Sequence, residues 1–378
     1  MEDRKVKPLI SASAFAEYEK ILNSMDDMVR VIDQHGVVIY ANTKMIQLCG
    51  ADPTGYSCID GKAPWIPHSI SSSTFVTKNA VLSELCLKGH VFSVKSTPLF
   101  SERREVIGAV EVFRDITIQN NITSELFEAN RKMKQDIHLA RSIQSGMLPR
   151  LTDFGPIHFD YRYIPSDQLS GDIFDLIPLG KGRMALYIAD VVGHGVSASI
   201  LTMFVRQTMR SILDEGKAYR PADVLSGLRD RFEEIDLDDS QYFSLFYALL
   251  DTMEQKLVYA NAGHNCPPLV FREGQVEFLE CTGRLISNVF PRIPYEEHEL
   301  PLLTGNKFLF YTDGVIESEN QEGVPYGPEG LVRIVSQSQG DLLDAILNDV
   351  NAYRWGVQGD DIALLLMETP KADGYRPI

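Results

Sequence analysis

The sequence has no apolar run that reaches the 18 or so residues of a membrane span, and no apolar stretch follows Met1–Lys7. Neither a spanning helix nor a signal peptide is expected. Cysteine is scarce, five in 378 residues, and the five are scattered without a Cys-x-x-Cys pair. That argues against a disulfide framework or structural zinc and fits a reducing cytosol. There is no internal repeat, no low-complexity tract and no P-loop or other Gly-rich phosphate cradle, so nucleotide binding is not expected. Positive charge is also short, and the net charge is −16. Residues 1–117 carry 13 basic against 14 acidic side chains, residues 118–149 four against three, and residues 150–378 carry 19 against 35. The excess acid therefore lies in the last segment. A field of that sign repels nucleic acid and anionic membranes and tolerates divalent cations.

What is present fits ordinary globular domains: 44% apolar and 23% charged residues, in a length suited to two domains and a connector. Residues 1–14 read as a tail. Phe15, Tyr18, Ile21, Leu22 and Met25 recur at helical spacing. Met28–Asp33 and Val37–Ala41 flank a Gly-containing turn and read as a hairpin. Asn42 stands at an N-cap position before a helix over Thr43–Cys49. Val91–Leu99 and Val106–Arg114 read as two more strands.

Three segments carry a resemblance in this region: Tyr40-Ala-Asn42, Ala51-Asp-Pro-Thr-Gly-Tyr56 and Gly108-Ala-Val-Glu-Val-Phe-Arg-Asp-Ile-Thr117. Residues 15–117 resemble the PAS sensory family, which implies an antiparallel sheet with flanking helices. No cysteine-bearing flavin motif is visible around Cys58. His68 and His90 read as ordinary surface or core histidines sooner than haem ligands, so any ligand of this domain is left unknown.

From 118 to 149, Ile118, Ile122, Leu126, Ala129, Met133, Ile137, Ala140, Ile143 and Met147 form one apolar face of a long helix that Pro149 ends. Such a connector either packs on its own domain or forms a two-chain helical seam; the seam, and with it a homodimer, is the preferred reading. Residues 150–370 alternate strands and helices, as a layered α+β domain would, and 371–378 read as a tail. Strands are expected at Ile157–Tyr163, Ile173–Leu179, Met184–Asp190, Tyr242–Asp251, Leu257–Ala262, Leu269–Arg272, Val276–Leu279, Lys307–Tyr311 and Ile362–Met367. Helices are expected at Val196–Leu213, Pro221–Ile235, Pro328–Ser336 and Asp341–Tyr353.

Within this domain Asp172, Asp190, Asp313 and Asp360 each stand at a strand edge beside glycine or a turn. Carboxylates at strand ends can converge without crowding, and oxygen ligands suit hard cations such as Mg²⁺ or Mn²⁺. The segments are Ser170-Gly-Asp-Ile-Phe-Asp175, Asp190-Val-Val-Gly-His-Gly195, Asn261-Ala-Gly-His-Asn-Cys-Pro-Pro268, Tyr311-Thr-Asp-Gly-Val-Ile-Glu317 and Gly359-Asp-Asp361, with the lead-in Ala140-Arg-Ser-Ile-Gln-Ser-Gly-Met-Leu-Pro149.

In this order they resemble the PPM-type metal-dependent protein phosphatases of the bacterial SpoIIE/RsbU-like branch, whose pattern reads SGD…D, DxSGHG, NAGHxPP, YTDGxxE, GDD. The resemblance implies a layered α/β sandwich and two Mn²⁺ or Mg²⁺ ions. It implies Asp190 as bridging ligand, the Val191 carbonyl as a further ligand, Asp172, Asp313 and Asp360 as the remaining acids, and His194 as general acid. His264 reads as structural. It also implies a cytoplasmic Ser/Thr phosphatase acting on a phosphorylated partner, by family habit a STAS-type anti-sigma-factor antagonist, under control of the PAS-like domain. Two other readings stay open: a catalytically inactive PAS-dimer module that sequesters a partner, and a hydrolase for a small phosphorylated molecule. The sequence departs from the family pattern at Val192, where a small polar residue is usual, and at Gly283–Asn288, which lacks a Pro-Leu-Gly turn.

Overall fold

The computed structural model describes residues 12–370 apart from Glu215, Lys217, Ala218, Glu273, Gly274 and Gln339. Residues 1–11 of the expected N-terminal tail and all of the 371–378 tail lie outside the described residues. The chain divides into two compact units between Lys132 and Met133. No helix among the described residues is long and apolar enough to cross a membrane.

The first unit begins with α1 (Ala12–Asn23), β1 (Met28–Asp33), β2 (Val38–Ala41), α2 (Thr43–Cys49) and α3 (Ser71–Thr77). β3 (Val81–Leu87), β4 (His90–Phe100) and β5 (Val106–Asp115) complete an antiparallel sheet of order β2-β1-β5-β4-β3. This is the sheet with flanking helices expected of a PAS domain. One sheet face buries Ile32, Val38, Phe92, Val94, Ala109 and Phe113 against Met45 and Cys49 of α2. Asn42 caps α2, its Oδ1 accepting from the Met45 N–H at 3.0 Å and from the Val29 N–H at 2.9 Å. β3 was not expected. It is an edge strand whose Leu82 is 70% exposed, so it lacks the buried alternation that marks a strand in sequence. The ring of His68 bonds the Ser69 and Ile59 carbonyls, and His90 Nδ1 bonds Asp115 Oδ2 at 2.9 Å.

α4 (Thr117–Met147) is one 31-residue helix that stops two residues before Pro149, since the residue preceding a proline resists helical ψ. Ile118, Ile122, Leu126 and Met133 are all more than half exposed along it.

The second unit continues with β6 (Asp153–Phe154), β7 (Ile157–Ile164), β8 (Asp172–Gly180), β9 (Arg183–Val191), α5 (Val196–Asp214) and α6 (Pro221–Glu233). Then come β10 (Tyr242–Asp251), β11 (Lys256–Ala262), β12 (Leu269–Arg272), β13 (Gln275–Phe278), β14 (Ile286–Ser287), β15 (His298–Pro301) and β16 (Lys307–Tyr311). α7 (Gly327–Gln337), α8 (Leu342–Tyr353) and β17 (Ile362–Glu368) close it. One sheet runs β15-β11-β10-β9-β8 with β14 added on β10; the other runs β13-β12-β16-β17-β7-β6.

Strand alternation builds the layers. On β9, Ala185, Tyr187, Ala189 and Val191 pack under α5 and α6, while Met184, Leu186 and Ile188 face the other sheet. On β17, Ile362, Leu364 and Leu366 pack under α7 and α8, while Ala363, Leu365 and Met367 point inward. Both faces of both sheets are thus covered, which is why these strands read as unbroken apolar runs. The result is the layered α/β sandwich expected from the resemblance. A sheet buried on both faces leaves its strand ends as the place for charge.

Candidate metal centre

β8 opens on Asp172 and β9 reaches Asp190 one residue before its end; antiparallel pairing puts these two residues directly opposite each other. On the second sheet, Asp313 follows β16 and Asp360 precedes β17. Asp190, Val191, His194, Asp313 and Asp360 line one cavity of about 460 Å³. The turn after β9 has Gly193 at φ 89° and Gly195 at φ 78°, left-handed values that suit glycine and swing the chain from strand into α5. A Cβ on Gly314 would lie 2.0 Å from the Asp361 carbonyl oxygen, so only glycine lets the turn after Asp313 sit on the turn that carries Asp360.

Neighbouring polar groups fix these loops. Asp361 is buried and accepts the Ser166 and Gly171 N–H groups, both at 2.6 Å. Of the adjacent acids Asp360 and Asp361, one faces the cavity and the other ties down the loop before β8. Thr312 Oγ1 donates to Asp172 Oδ2 at 2.6 Å and accepts from the Ala363 N–H at 2.9 Å. Asn265 Nδ2 donates to Asp313 Oδ2 at 3.1 Å. His264 is buried, which lowers its pKa and keeps the ring neutral. Its Nε2–H donates to the Tyr311 carbonyl at 3.0 Å, leaving Nδ1 to accept from Ser244 Oγ at 3.1 Å. Asp175, the second acid of the first motif, is fully buried and engaged by Arg210 at 2.8 Å, so it takes a structural part.

One contact reaches this region from α4. Gln144 is buried; its Nε2 donates to the Ser170 carbonyl at 2.7 Å, and its Oε1 accepts the Ser170 N–H at 3.1 Å. Ser170 Oγ in turn accepts the Asp172 N–H at 3.1 Å. Sequence reasoning placed Gln144 in a family motif but gave it no task, because a single glutamine on a helix carries no periodic signal.

The acids repel one another. Burial, then the Asp190 charge, pushes the Asp172 carboxyl well above the ordinary range, against the pull of the Thr312 hydroxyl. Burial, with Asp313 and Asp360, pushes Asp190 up to about 7. Glu317 is raised by burial and by Asp313 and Asp360. Asp360 is raised chiefly by burial. Carboxylate oxygens of Asp313, Glu317 and Asp360 lie within 4.8 Å of one another. An all-oxygen, mutually repelling set of this kind fits hard divalent cations, whose charge would relieve the crowding. Glu317 belongs to this cluster although it was not among the expected ligands; its place in the Tyr311–Glu317 motif was the available signal. Val192 and Leu285, from the two departures in sequence, line the same cavity.

Known proteins resemble this chain in sequence and in fold. The family model described as Stage II sporulation protein E (SpoIIE) matches residues 180–370, or 191 of the 378, and the PAS fold model matches residues 16–56. Phosphoserine phosphatase RsbP of Bacillus subtilis (strain 168) is 28% identical over 189 residues, 49% of this chain and 46% of that protein. Phosphoserine phosphatase RsbU of the same organism is 27% identical over 207 residues, 53% of this chain and 58% of that protein. The chain thus spans about half the length of these curated relatives. In fold, it is similar to the SiaA-PP2C domain of Pseudomonas aeruginosa (TM-score 0.57, 21% identity, 64% of this chain and 98% of that one). It is also similar to the PP2C phosphatase domain with a fragment of the regulatory domain of SpoIIE from Bacillus subtilis (TM-score 0.51, 13% identity, 77% and 82%).

Proposed function

The chain belongs to the Stage II sporulation protein E (SpoIIE) family, and from that premise we propose that it is a metal-dependent serine/threonine protein phosphatase. The observation that carries the reading is the crowding of acids from two sheets around one cavity, with Asp190 pushed up to about 7. In this reading Asp190, the Val191 carbonyl, Asp172, Asp313 and Asp360 hold two Mn²⁺ or Mg²⁺ ions. Bound divalent cations supply Lewis acidity that acidifies water and neutralises charge on phosphoryl oxygens. Thr312 and Asn265 aim Asp172 and Asp313 by the hydrogen bonds they donate. His194, exposed at the cavity, gives its proton to the departing serine or threonine oxygen.

The substrate we assign is a phosphorylated protein, of the STAS-type antagonist class, in the cytoplasm. The names of RsbP and RsbU as phosphoserine phosphatases support the reaction class. We assign residues 15–117 to sensing, 118–149 to the connection and 150–370 to catalysis. The exposed apolar stripe of α4 supports a homodimeric seam, and the Gln144–Ser170 contact supports a route from that helix to Asp172.

Phosphate release from a phosphoserine protein, measured with Mn²⁺ and with EDTA, tests the reading. Turnover that needs the cation and that Asp190→Asn abolishes is expected. Metal-independent release, or an unimpaired Asp190→Asn protein, would sink it.

A further inference from the structure

The two departures from the family pattern lie far apart in sequence and meet in space. The Val192 N–H donates to the Tyr242 carbonyl at 3.2 Å, and Tyr242 pairs with Ser287 where β14 joins β10. Val192, Tyr242 and Leu285 all line the 460 Å³ cavity that Asp190, Asp313 and Asp360 also line. The cavity therefore has acidic groups and a set of apolar side chains together. Its volume lies within the range of about 300–1,000 Å³ typical of sites for drug-sized ligands, more than a phosphoryl group alone needs. The acids suit cations and, through them, phosphate; the apolar side chains suit neither.

The Leu285 part of this wall is held in place by backbone packing. A Cβ on Gly263 would fall 2.5 Å from the Leu285 nitrogen, and one on Gly283 would fall 1.7 Å from the Asn261 carbonyl oxygen. The segment bearing Leu285 is thus pressed onto the turn that carries His264, so its backbone need not be ordered on binding.

We propose that Val192, Tyr242 and Leu285 form a specificity wall that receives the apolar side chain next to the phosphorylated serine or threonine of a protein substrate. The proposal rests on the phosphatase reading and narrows its substrate class to phosphorylated segments with an apolar flank.

The experiment uses the full chain with Mn²⁺. Phosphoserine peptides differing only in the flanking residues, leucine or valine against glutamine or serine, are compared with free phosphoserine, which has no flank. The wild type should turn over the apolar-flanked peptide with kcat/KM about tenfold above the polar one, the scale of a buried aliphatic contact. Leu285→Ser, and independently Tyr242→Ser, should shrink that preference to about twofold, read as the ratio of kcat/KM for the apolar-flanked peptide to that for the polar-flanked one. A wild type that treats both peptides alike overturns the proposal. So do variants that lower the turnover of both peptides and of free phosphoserine in equal proportion. Absence of turnover on every substrate removes the phosphatase reading itself, and the wall with it.

Discussion

Glu111 in the first unit and Asp172 in the second are both buried carboxylates, 0% and 2% exposed. Their surroundings differ. Glu111 Oε2 accepts from Arg30 Nε at 2.8 Å. Glu111 Oε1 accepts from Ser69 Oγ and Ser71 Oγ, both at 2.6 Å, and from the Ile70 N–H at 3.0 Å. The chain supplies a cation and a full set of donors, so the charge is settled internally. Asp172 has one hydroxyl donor on its carboxylate, from Thr312, and faces Asp190 across the strand pair. Burying a charge beside a like charge is costly, so compensation must come from solution. One acid holds a fold together; the other leaves a place for something the chain does not contain.

Mutation should affect the two acids differently, and the largest effect belongs to the compensated side. Glu111→Gln leaves Arg30 buried without its anion and should destabilise the first unit by about 3–5 kcal/mol, seen by chemical denaturation of the full chain. A change under about 1 kcal/mol would show the pair is not the anchor its geometry suggests.

Asp190→Asn should cut cation-dependent turnover by about a hundredfold or more. In EDTA, however, it should melt no lower than the wild type, because it removes one of several crowded charges. Mn²⁺ should raise the melting temperature of the wild type and do so much less for Asp190→Asn. A clear loss of stability in EDTA would place Asp190 with Glu111 as a structural acid.

Gln144→Ala unties both backbone groups of Ser170 and should weaken Mn²⁺ affinity about tenfold, measured by titration calorimetry beside kcat. Unchanged affinity would separate α4 from the acid cluster. Lysine at Ile122, Leu126 and Met133 should have the smallest effect on the fold, since all three are exposed. It should lower the mass of the particle in sedimentation and shift basal turnover; if neither moves, the helical seam is wrong.

Much of the fold could be read because doubly buried strands are long apolar runs. β10 (Tyr242–Asp251), β12 (Leu269–Arg272) and β16 (Lys307–Tyr311) span the residues expected from sequence. β3, β14 and β15 could not be read that way: β3 and β15 are edge strands with no fully buried residue, and β14 has only two residues. Of the site, sequence marked the aspartates at strand ends. It named Asp360 and gave Asp361 no part; the hold of Asp361 on the loop before β8 depends on long-range packing that no local pattern shows. Nor could it foresee the Arg30–Glu111 pair, which depends on the register that sets these residues opposite each other on β1 and β5.

The Gln144 contact also bears on where this protein can be cut. Composition and proline put a natural scissor point at Pro149, just after α4 ends. A fragment beginning at Arg150 would strip the buried N–H and C=O of Ser170 of their glutamine partner and leave the loop before Asp172 unsupported. A fragment beginning near Met133, at the division between the compact units, keeps that last helical turn and its glutamine. An excised C-terminal unit has to carry a piece of its neighbour's connector to remain whole.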